Sequence, residues 1–329
     1  MDYDQFMSQP NIYVVRAIVP ESVALLQTRC TVEIGPLGGL DHAALCRAVK
    51  GRDGIIAPVL PLDAEVVAAL APTCKIIACY GVGFDHVDVA AATRHGIWVT
   101  HNPGLVTDDT ADLAMALMLG VARRLHECDA FVRSGQQPWG LLLKIGHRVS
   151  GKTLGLVGSG RIAQAVARRA AGFGMRLLYT AHRPKPDFEA QTGAQFLEKD
   201  DLLAAADFIS LHVPLTAETR HYIGKRELEL MPRHAILINT ARGPVVDEDA
   251  LVAALKEGGI AGAGLDVFEC EPQIHPGLRD FPNVLLTPHK GATTMDGFIS
   301  MGNSCAEKIF AALEGRVPPD CLNPEARQG

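Results

Sequence analysis

The stretch GLVGSGRIAQAVARRAAGFGMRLLYTAHRPKP (residues 155–186) decides the fold of the second half of the chain. It begins as a β-strand, passes through the turn Gly158-Ser159-Gly160, continues as a helix with one apolar side, and ends in a second strand. Gly158 permits the tight turn, and Gly160 lets the backbone approach a pyrophosphate, while Ala163 allows close contact between helix and strand. We therefore predict a βαβ unit that binds a dinucleotide at the N-terminus of the helix.

The end of the second strand indicates which dinucleotide is bound. NAD sites usually place an acidic residue here to accept the ribose hydroxyls, but this chain has Ala181. The nearest acid, Asp187, lies beyond two prolines. His182, Arg183 and Lys185 stand where a 2′-phosphate would bind, and cations favour that doubly charged group. NADP is therefore predicted as the preferred cofactor; the alternative is that these cations are solvated and that NAD binds loosely.

Strand and helix patterns alternate along the chain, as in α/β folds with parallel sheets. In the first hundred residues four runs have strand character: 12–15, 54–57, 75–78 and 96–99. Six more runs follow from residue 153 and predict a doubly wound sheet: TLGLV, MRLLYT, DFISLHV, HAILINT, IAGAGLDVF and NVLLTPH. One long helix is predicted from an N-cap at Thr107 to a stop at Gly135, and another over residues 296–314.

Composition and charge narrow the classes of partner. The 329 residues are 48% hydrophobic and 21% charged, with a net charge of −6 and no basic block, so neither nucleic acid nor an anionic membrane is expected. The N-terminal MDYDQFMSQP lacks the basic and apolar regions of a secretory signal, which favours a cytoplasmic location. The eight cysteines and twelve histidines do not cluster at ligand spacing, so free thiols and no metal site are expected.

Three ionisable residues follow three successive strands of the second half. Arg242 comes after HAILINT, Glu271 after GAGLDVF, and His289 after NVLLTP. Ligands of doubly wound sheets bind beyond the carboxyl ends of the strands, so these side chains are expected at the same edge as the nucleotide turn. Each residue alone is commonly a solvated or structural group, but together they form a candidate catalytic set.

Longer motifs around these residues resemble the D-isomer-specific 2-hydroxyacid dehydrogenase family, and within it the NADPH-dependent glyoxylate and hydroxypyruvate reductases. The similar segments occur in the order of that family: CYGVGFDHVD (79–88), the Gly158 turn, HVPLTAETRHYI (212–223), INTARGPVVDEDAL (238–251), AGLDVFECEP (263–272) and LLTPHKGAT (285–293). The resemblance implies that Arg242 holds the carboxylate and carbonyl oxygen of a 2-oxo acid. It also implies that His289 is the general acid in reduction and that Glu271 holds the imidazole.

Further site residues are implied by the same resemblance. The backbone N–H groups of Val82 and Gly83 would bind the substrate carboxylate, and Asp266 would contact the nicotinamide carboxamide. Trp139 is expected on a dimerisation arm, where it would either reach the active site of the partner subunit or pack in the interface. Lys290 departs from the family, which commonly has an apolar residue there. The remaining cofactor contacts are assigned to Thr110, Arg161, Ile162, Val213, Pro214, Thr219, Ala241 and His289.

The organisation of the family implies two Rossmann-like α/β domains with parallel sheets, the cofactor domain being inserted into a flavodoxin-like substrate domain. The expected limits are 1–101 for the first part of the substrate domain, 102–290 for the cofactor domain with the arm at about 120–150, and 291–329 for the return. The loop APVLPLD (57–63) is expected to line the substrate pocket, and its apolar residues favour a small or medium uncharged substrate tail.

The sequence therefore predicts a homodimeric enzyme that reduces small 2-oxo acids with NADPH to D-2-hydroxy acids, the substrates being glyoxylate, hydroxypyruvate or longer 2-keto sugar acids. Two alternatives stay open. The first is NAD-dependent oxidation of a larger D-2-hydroxy acid of the phosphoglycerate type, which would need extra cations, with Arg52 and Lys75 as candidates. The second is a non-catalytic, nucleotide-sensing binding protein that retains Arg242, Glu271 and His289.

Overall fold

The computed structural model describes residues 9–327, which form two compact α/β units. The first unit runs to Val106 and resumes at Thr293, and the second extends from Thr107 to Ala292. From the sequence, the boundaries between the two domains were expected between residues 101 and 102 and between residues 290 and 291. The prediction that the chain has no secretory signal was based on residues 1–10, of which only residues 9 and 10 are among the described residues. Within residues 9–327, no helix is both long and apolar enough to cross a membrane.

The first unit is built on a five-stranded parallel sheet. Its strands lie in the order β2-β1-β3-β4-β5, and their bounds are β1 (Asn11–Val14), β2 (Thr31–Ile34), β3 (Gly54–Ala57), β4 (Ile76–Cys79) and β5 (Trp98–Thr100). Its helices are α1 (Pro20–Gln27), α2 (His42–Ala48), α3 (Ala64–Leu70), α4 (Val89–Arg94) and a C-terminal helix, Met295–Leu313. The strand order is that of flavodoxin-like folds, so the predicted fold of this unit is confirmed.

Strand β1 shows how both faces of this sheet are buried. The side chains of β1 and of the next residue, Val15, alternate between two apolar clusters, with Ile12 and Val14 in one and Tyr13 and Val15 in the other. All four are at most 2% exposed. A strand covered on both faces has a continuous apolar sequence, and such runs identified four of the five strands. The edge strand β2 was missed because its residues, TVEI, are mostly exposed.

The second unit is built on a seven-stranded parallel sheet with the order β12-β11-β10-β9-β6-β7-β8. The strands are β6 (Thr153–Val157), β7 (Arg176–Thr180), β8 (Gln195–Phe196), β9 (Phe208–Leu211), β10 (Ile236–Asn239), β11 (Gly262–Leu265) and β12 (Val284–Leu286). The helices are α5 (Thr107–Ala122), α6 (Leu125–Arg133), α7 (Arg161–Ala171), α8 (Pro186–Thr192), α9 (Lys199–Ala205), α10 (Lys225–Leu230) and α11 (Glu248–Lys256). The chain reverses direction across the sheet between β6 and β9, which confirms the predicted doubly wound fold. The two-residue edge strand β8 was not predicted.

The prediction of a single helix from Thr107 to Gly135 is wrong. The helix is interrupted between α5 and α6, where Arg124 has a left-handed backbone conformation with a φ of 53°. The Arg124 guanidinium donates to both carboxylate oxygens of Glu127, at 2.7 and 2.6 Å, and Lys144 Nζ donates to the same carboxylate at 2.9 Å. These ion pairs hold the buried Glu127 and stabilise a backbone conformation that costs about 1 kcal/mol or more. The predicted stop at Gly135 is observed, with a φ of 69°.

Candidate active site

The carboxyl ends of three neighbouring strands carry the candidate catalytic residues. Strands β10, β11 and β12 are adjacent and parallel in the sheet of the second unit. Arg242 lies three residues after β10, Glu271 lies in the loop after β11, and His289 lies three residues after β12. The structure brings Glu271 and His289 into direct contact and places Arg242 on the adjoining strand end.

His289 and Glu271 form a hydrogen-bonded pair. His289 Nδ1 lies 2.7 Å from Glu271 Oε2, and Glu271 Oε1 accepts from the Phe268 N–H at 3.0 Å. Burial acts to raise the pKa of Glu271, but the contacts with His289, the Phe268 amide and the charge of Arg242 together hold that pKa below its ordinary value. The carboxylate is therefore ionised at neutral pH and fixes the imidazole, which leaves Nε2 of His289 available to a substrate.

The turn that carries His289 is organised by Asp266, which is 1% exposed. Asp266 Oδ1 accepts from Thr287 Oγ1 and from the Lys290 N–H, both at 2.6 Å, and Oδ2 accepts from the Gly291 N–H at 2.7 Å. The His289 N–H donates to the Asp266 carbonyl at 2.8 Å. The backbone of His289 is left-handed, with a φ of 52°. Asp266 was expected to contact the nicotinamide carboxamide, and its role in fixing this turn was not predicted.

The loop that carries Arg242 is fixed by two neighbours. Asn239, which is 1% exposed, accepts from the Ala241 N–H at 3.0 Å and donates to the Arg242 carbonyl at 2.9 Å. Gly243 lies so close to the next loop that a Cβ there would overlap the backbone of Phe268 and Glu269. The Arg242 loop therefore packs backbone to backbone against the loop that leads to Glu271.

The predicted nucleotide turn has the geometry that a dinucleotide requires. Gly158 has a φ of 108°, and a Cβ there would lie 2.6 Å from the His212 carbonyl oxygen. A Cβ at Gly160, the N-cap residue of α7, would lie in open space, with no atom within 4 Å apart from those of its chain neighbours. Helix N-termini present unpaired N–H groups and a positive dipole to phosphates. Arg161 and Ile162 are the first two residues of α7.

A cavity of about 470 Å³ opens beside this turn. It is lined by Ser159, Gly160, Arg161, Gln164, Lys185, Asp187, Phe188 and Gln191. Asp187, set aside in the sequence analysis because two prolines precede it, is therefore part of the cavity wall. Gln164 and Ser159 were not singled out from the sequence, since neither residue type is specific to nucleotide sites.

Tyr179 fixes the turn in which the 2′-phosphate site is predicted. Its buried hydroxyl accepts from the Lys185 N–H at 2.6 Å and donates to Glu189 Oε1 at 2.7 Å. His182 and Arg183 are exposed on this turn, and their side chains make no hydrogen bond to any other group within residues 9–327. Arg183 is therefore available to bind an anion, whereas His182 also interacts with the carboxylate of Glu218, whose pKa it lowers.

The other predicted cofactor contacts lie at the same edge of the sheet. Val213 lies beneath the Gly158 turn, its Cγ1 being 3.3 Å from where a Gly158 Cβ would stand. Thr219 Oγ1 donates to the Pro214 carbonyl at 2.6 Å and closes the loop after β9. Thr110, in the first turn of α5, is buried next to Gly291, in the turn that follows His289.

Val82 and Gly83 follow β4 in the first unit. Neither backbone N–H donates to another group among the described residues, whereas the Val82 carbonyl accepts from His101 Nδ1 at 2.9 Å. Unpaired N–H groups on a fixed loop suit the predicted contact with a carboxylate. Arg52 and Lys75, the candidates for binding a phosphorylated substrate, bind instead to Glu33 (at 2.6 Å) and to the Leu313 carbonyl (at 3.2 Å).

Trp139 is 71% exposed, and its neighbours Leu141 and Leu142 are 102% and 81% exposed. Ile145, Leu125 and Val132 add to this apolar surface, with exposures of 61%, 56% and 54%. We call residues 125–145 the apolar arm. Several large exposed apolar side chains within one short segment are typical of protein–protein interfaces.

Comparison with known proteins shows the family to which the chain belongs. The sequence profile described as "D-isomer specific 2-hydroxyacid dehydrogenase, NAD binding domain" matches residues 115–291. The glyoxylate reductase of Thermococcus litoralis is 44% identical over 327 residues, which cover 96% of this chain and 98% of that protein.

Solved structures are similar over nearly the whole chain. A protein from Thermus thermophilus has a TM-score of 0.89 and 44% identity, over 95% of this chain and 99% of that one. An NADPH-dependent glyoxylate/hydroxypyruvate reductase from Sinorhizobium meliloti, in complex with NADP and malonate, has a TM-score of 0.84 and 30% identity, over 96% of this chain and 98% of that one.

We expect Gly243→Ala to lower the free energy of unfolding by about 3 kcal/mol or more, because the new Cβ must displace the backbone of the Glu271 loop. Chemical denaturation followed by circular dichroism measures this change. Gly38→Ala is the matched control, because a Cβ at Gly38 meets nothing within 4 Å. Its stability should be unchanged or slightly raised. Equal stability of the two variants would contradict the close packing of the loops.

Proposed function

The chain belongs to the D-isomer-specific 2-hydroxyacid dehydrogenase family and is an NAD(P)-binding oxidoreductase, and we propose that it reduces glyoxylate and hydroxypyruvate with NADPH. The relative from Thermococcus litoralis, named glyoxylate reductase, supports the first substrate. The Sinorhizobium meliloti protein, whose name includes both substrates and NADPH, supports the second substrate and the cofactor. Longer 2-keto sugar acids fall within the same proposal, and chiral products would have the D configuration for which the family is named.

The observation that carries the proposal is the pair of His289 and Glu271 on the edge of the sheet that also holds the nucleotide turn. A general acid must lie within reach of the reacting oxygen and keep its proton in place until transfer. Glu271 provides this control, because its ionised carboxylate holds Nδ1 of His289 and directs Nε2 outward. In the reverse reaction the same imidazole accepts the proton.

The other residues bind and orient the substrate. A nicotinamide cofactor held at the Gly158 turn would supply the hydride for the carbonyl carbon. As the carbonyl becomes an alkoxide, His289 donates a proton to its oxygen, so that the product is a neutral alcohol. Arg242 binds the carboxylate and the carbonyl oxygen, which orients the carbon and stabilises the growing negative charge. The unpaired N–H groups of Val82 and Gly83 bind the carboxylate as well.

The proposed preference for NADPH rests on the turn after β7. Ala181 cannot accept hydrogen bonds from ribose hydroxyls through its side chain, and His182 and Arg183 stand exposed beside it. A guanidinium binds phosphate with charge-assisted bonds that are stronger than neutral ones. Lys185 lines the adjacent cavity and adds positive charge there.

The reaction is tested by initial rates of NADPH oxidation with glyoxylate and hydroxypyruvate, in wild type and in Glu271→Gln. We expect wild-type turnover with both acids and a kcat lower by roughly 10²-fold in the variant, because the imidazole loses its charged partner. Glu269→Gln is the control, since Glu269 lies on the same loop but binds His221 at 2.7 Å. A wild type without turnover would favour the nucleotide-sensing alternative, and equal losses in both variants would contradict the role of Glu271.

For the cofactor, we expect Arg183→Ala to raise the KM for NADPH by roughly 10- to 100-fold. The loss of one or two charge-assisted hydrogen bonds to the 2′-phosphate would weaken binding by about that factor. The KM for NADH should change little, because NADH has no phosphate for Arg183 to bind. Steady-state kinetics with both cofactors measure the difference. The exposed Arg233 provides the control variant Arg233→Ala. Equal changes for NADPH and NADH would argue against a 2′-phosphate contact at Arg183.

We further propose that the chain is a homodimer that buries the apolar arm. The arm exposes several large apolar side chains at more than half of their surface, and a second copy of the same chain could cover them in a two-fold interface. Trp139 would then either reach the partner's active site or pack between the subunits.

The dimer is tested with the double substitution Leu141→Asp and Leu142→Asp. We expect the variant to be a monomer at concentrations at which the wild type is a dimer, because buried carboxylates oppose association. Light scattering coupled to gel filtration measures the mass. The control Leu37→Asp changes a leucine that is 88% exposed in the first unit and should leave the mass unchanged. A wild type that is monomeric, or a double variant that stays dimeric, would contradict burial of the arm.

A further inference from the structure

The first unit contains a cluster of metal-ligating side chains. His42 and Cys46 lie on α2 and Glu65 lies on α3, and each offers one ligand atom within 4.8 Å of the other two. His42 and Cys46 are four residues apart, so they project from the same face of α2. The cluster has a weak sequence signal, because His42 and Cys46 are residues of different types and Glu65 belongs to another helix.

Asp63 completes the cluster. Its Oδ2 lies 2.8 Å from Nε2 of His42, while its Oδ1 accepts from the N–H groups of Glu65 and Val66 and caps α3. Histidines that bind metals usually have a carboxylate or carbonyl partner that fixes the ring and raises its basicity. Asp63 provides such a partner for His42, and its own position is fixed by the helix cap.

The charges of the cluster favour a cation. The carboxylates of Glu65 and Asp63 place negative charge beside Cys46, and Lys50 opposes part of it. A divalent cation placed among these groups would reverse the electrostatic balance, since it attracts both the carboxylates and a thiolate. The geometry, in which three ligand atoms converge from two helices, is thus matched by the local charge.

The donor atoms indicate which cation is bound. A nitrogen, a sulfur and a carboxylate oxygen form a set typical of Zn²⁺ and Co²⁺, whereas Mg²⁺ and Ca²⁺ prefer oxygen alone. Tetrahedral zinc sites hold their ligand atoms about 3.4 Å apart. Because the atoms here lie within 4.8 Å of one another, each pair must approach by at most about 1.4 Å. The side chains of His42 and Glu65 are exposed and can rotate to do so.

We propose that His42, Cys46 and Glu65 bind a divalent cation of the zinc class, with Asp63 as the partner of the His42 ring. Binding replaces the thiol proton of Cys46 by a metal–sulfur bond, and the proton is released to solvent. The cation joins α2 to the start of α3. Because Asp63 is also the last residue of the loop 57–63, the metal restrains that loop. This proposal does not depend on the reaction that the second unit carries out.

The probe for this site is Co²⁺, which gives a thiolate-to-metal charge-transfer band only when a cysteine binds it. We expect one equivalent of Co²⁺ per chain to produce the band, and excess Zn²⁺ to abolish it. The Cys46→Ser variant, which preserves the size of the side chain, should lose the band entirely. His42→Ala and Glu65→Gln should weaken Co²⁺ binding by at least tenfold.

Cys270→Ser is the matched control, because Cys270 is the exposed cysteine in the described part of the chain. Its band should equal that of the wild type. Isothermal titration of Zn²⁺ in two buffers of different ionisation enthalpy should show release of a proton in the wild type and its loss in Cys46→Ser. No band in the wild type, a band that survives in Cys46→Ser, or a band lost in Cys270→Ser would each overturn the proposal. Circular dichroism confirms that every variant is folded.

Discussion

The buried carboxylate of Asp266 is the constraint on which the candidate active site depends. It accepts three hydrogen bonds, from Thr287, Lys290 and Gly291, and so closes the turn after β12. His289 stands inside this turn with a left-handed backbone, a conformation that persists only where several contacts impose it. Burial raises the pKa of Asp266, and the donors around it oppose that effect. The contact between His289 and Glu271 therefore rests on a residue that binds neither of their side chains.

The sequence predicts the framework because parallel strands buried on both faces have continuous apolar runs. Glycine turns and regular spacing then give the doubly wound order, and that order alone brings the ends of β10, β11 and β12 together. The segments that were missed lack this signal. Strand β2 is exposed and β8 has two residues, so neither forms an apolar run. The break at Arg124 depends on ion pairs with Glu127 and Lys144, which no helical period reveals.

The residue types of the candidate site are also predictable, but the contacts that position them are not. Arg242, Glu271 and His289 could be selected because they follow three successive strands, whose carboxyl ends are expected at the edge of the sheet that carries the nucleotide turn. Asn239 and Asp266 look like ordinary strand residues until their hydrogen bonds are seen. The cluster of His42 with Glu65 likewise depends on how α2 packs against α3. Such contacts are tertiary, and a periodic pattern does not encode them.

The turn after β7 limits how strongly the proposed cofactor preference can be expressed. Specificity arises either from attraction to the preferred ligand or from repulsion of its competitor. In the proposed complex Arg183 and Lys185 would attract the 2′-phosphate of NADP, but Ala181 would only omit a contact with the ribose of NAD and would repel nothing. Asp187, in the wall of the adjacent cavity, weakens the positive potential. Salt screens the attraction between exposed cations and a phosphate. The selectivity for NADPH over NADH at this turn should therefore fall as ionic strength rises.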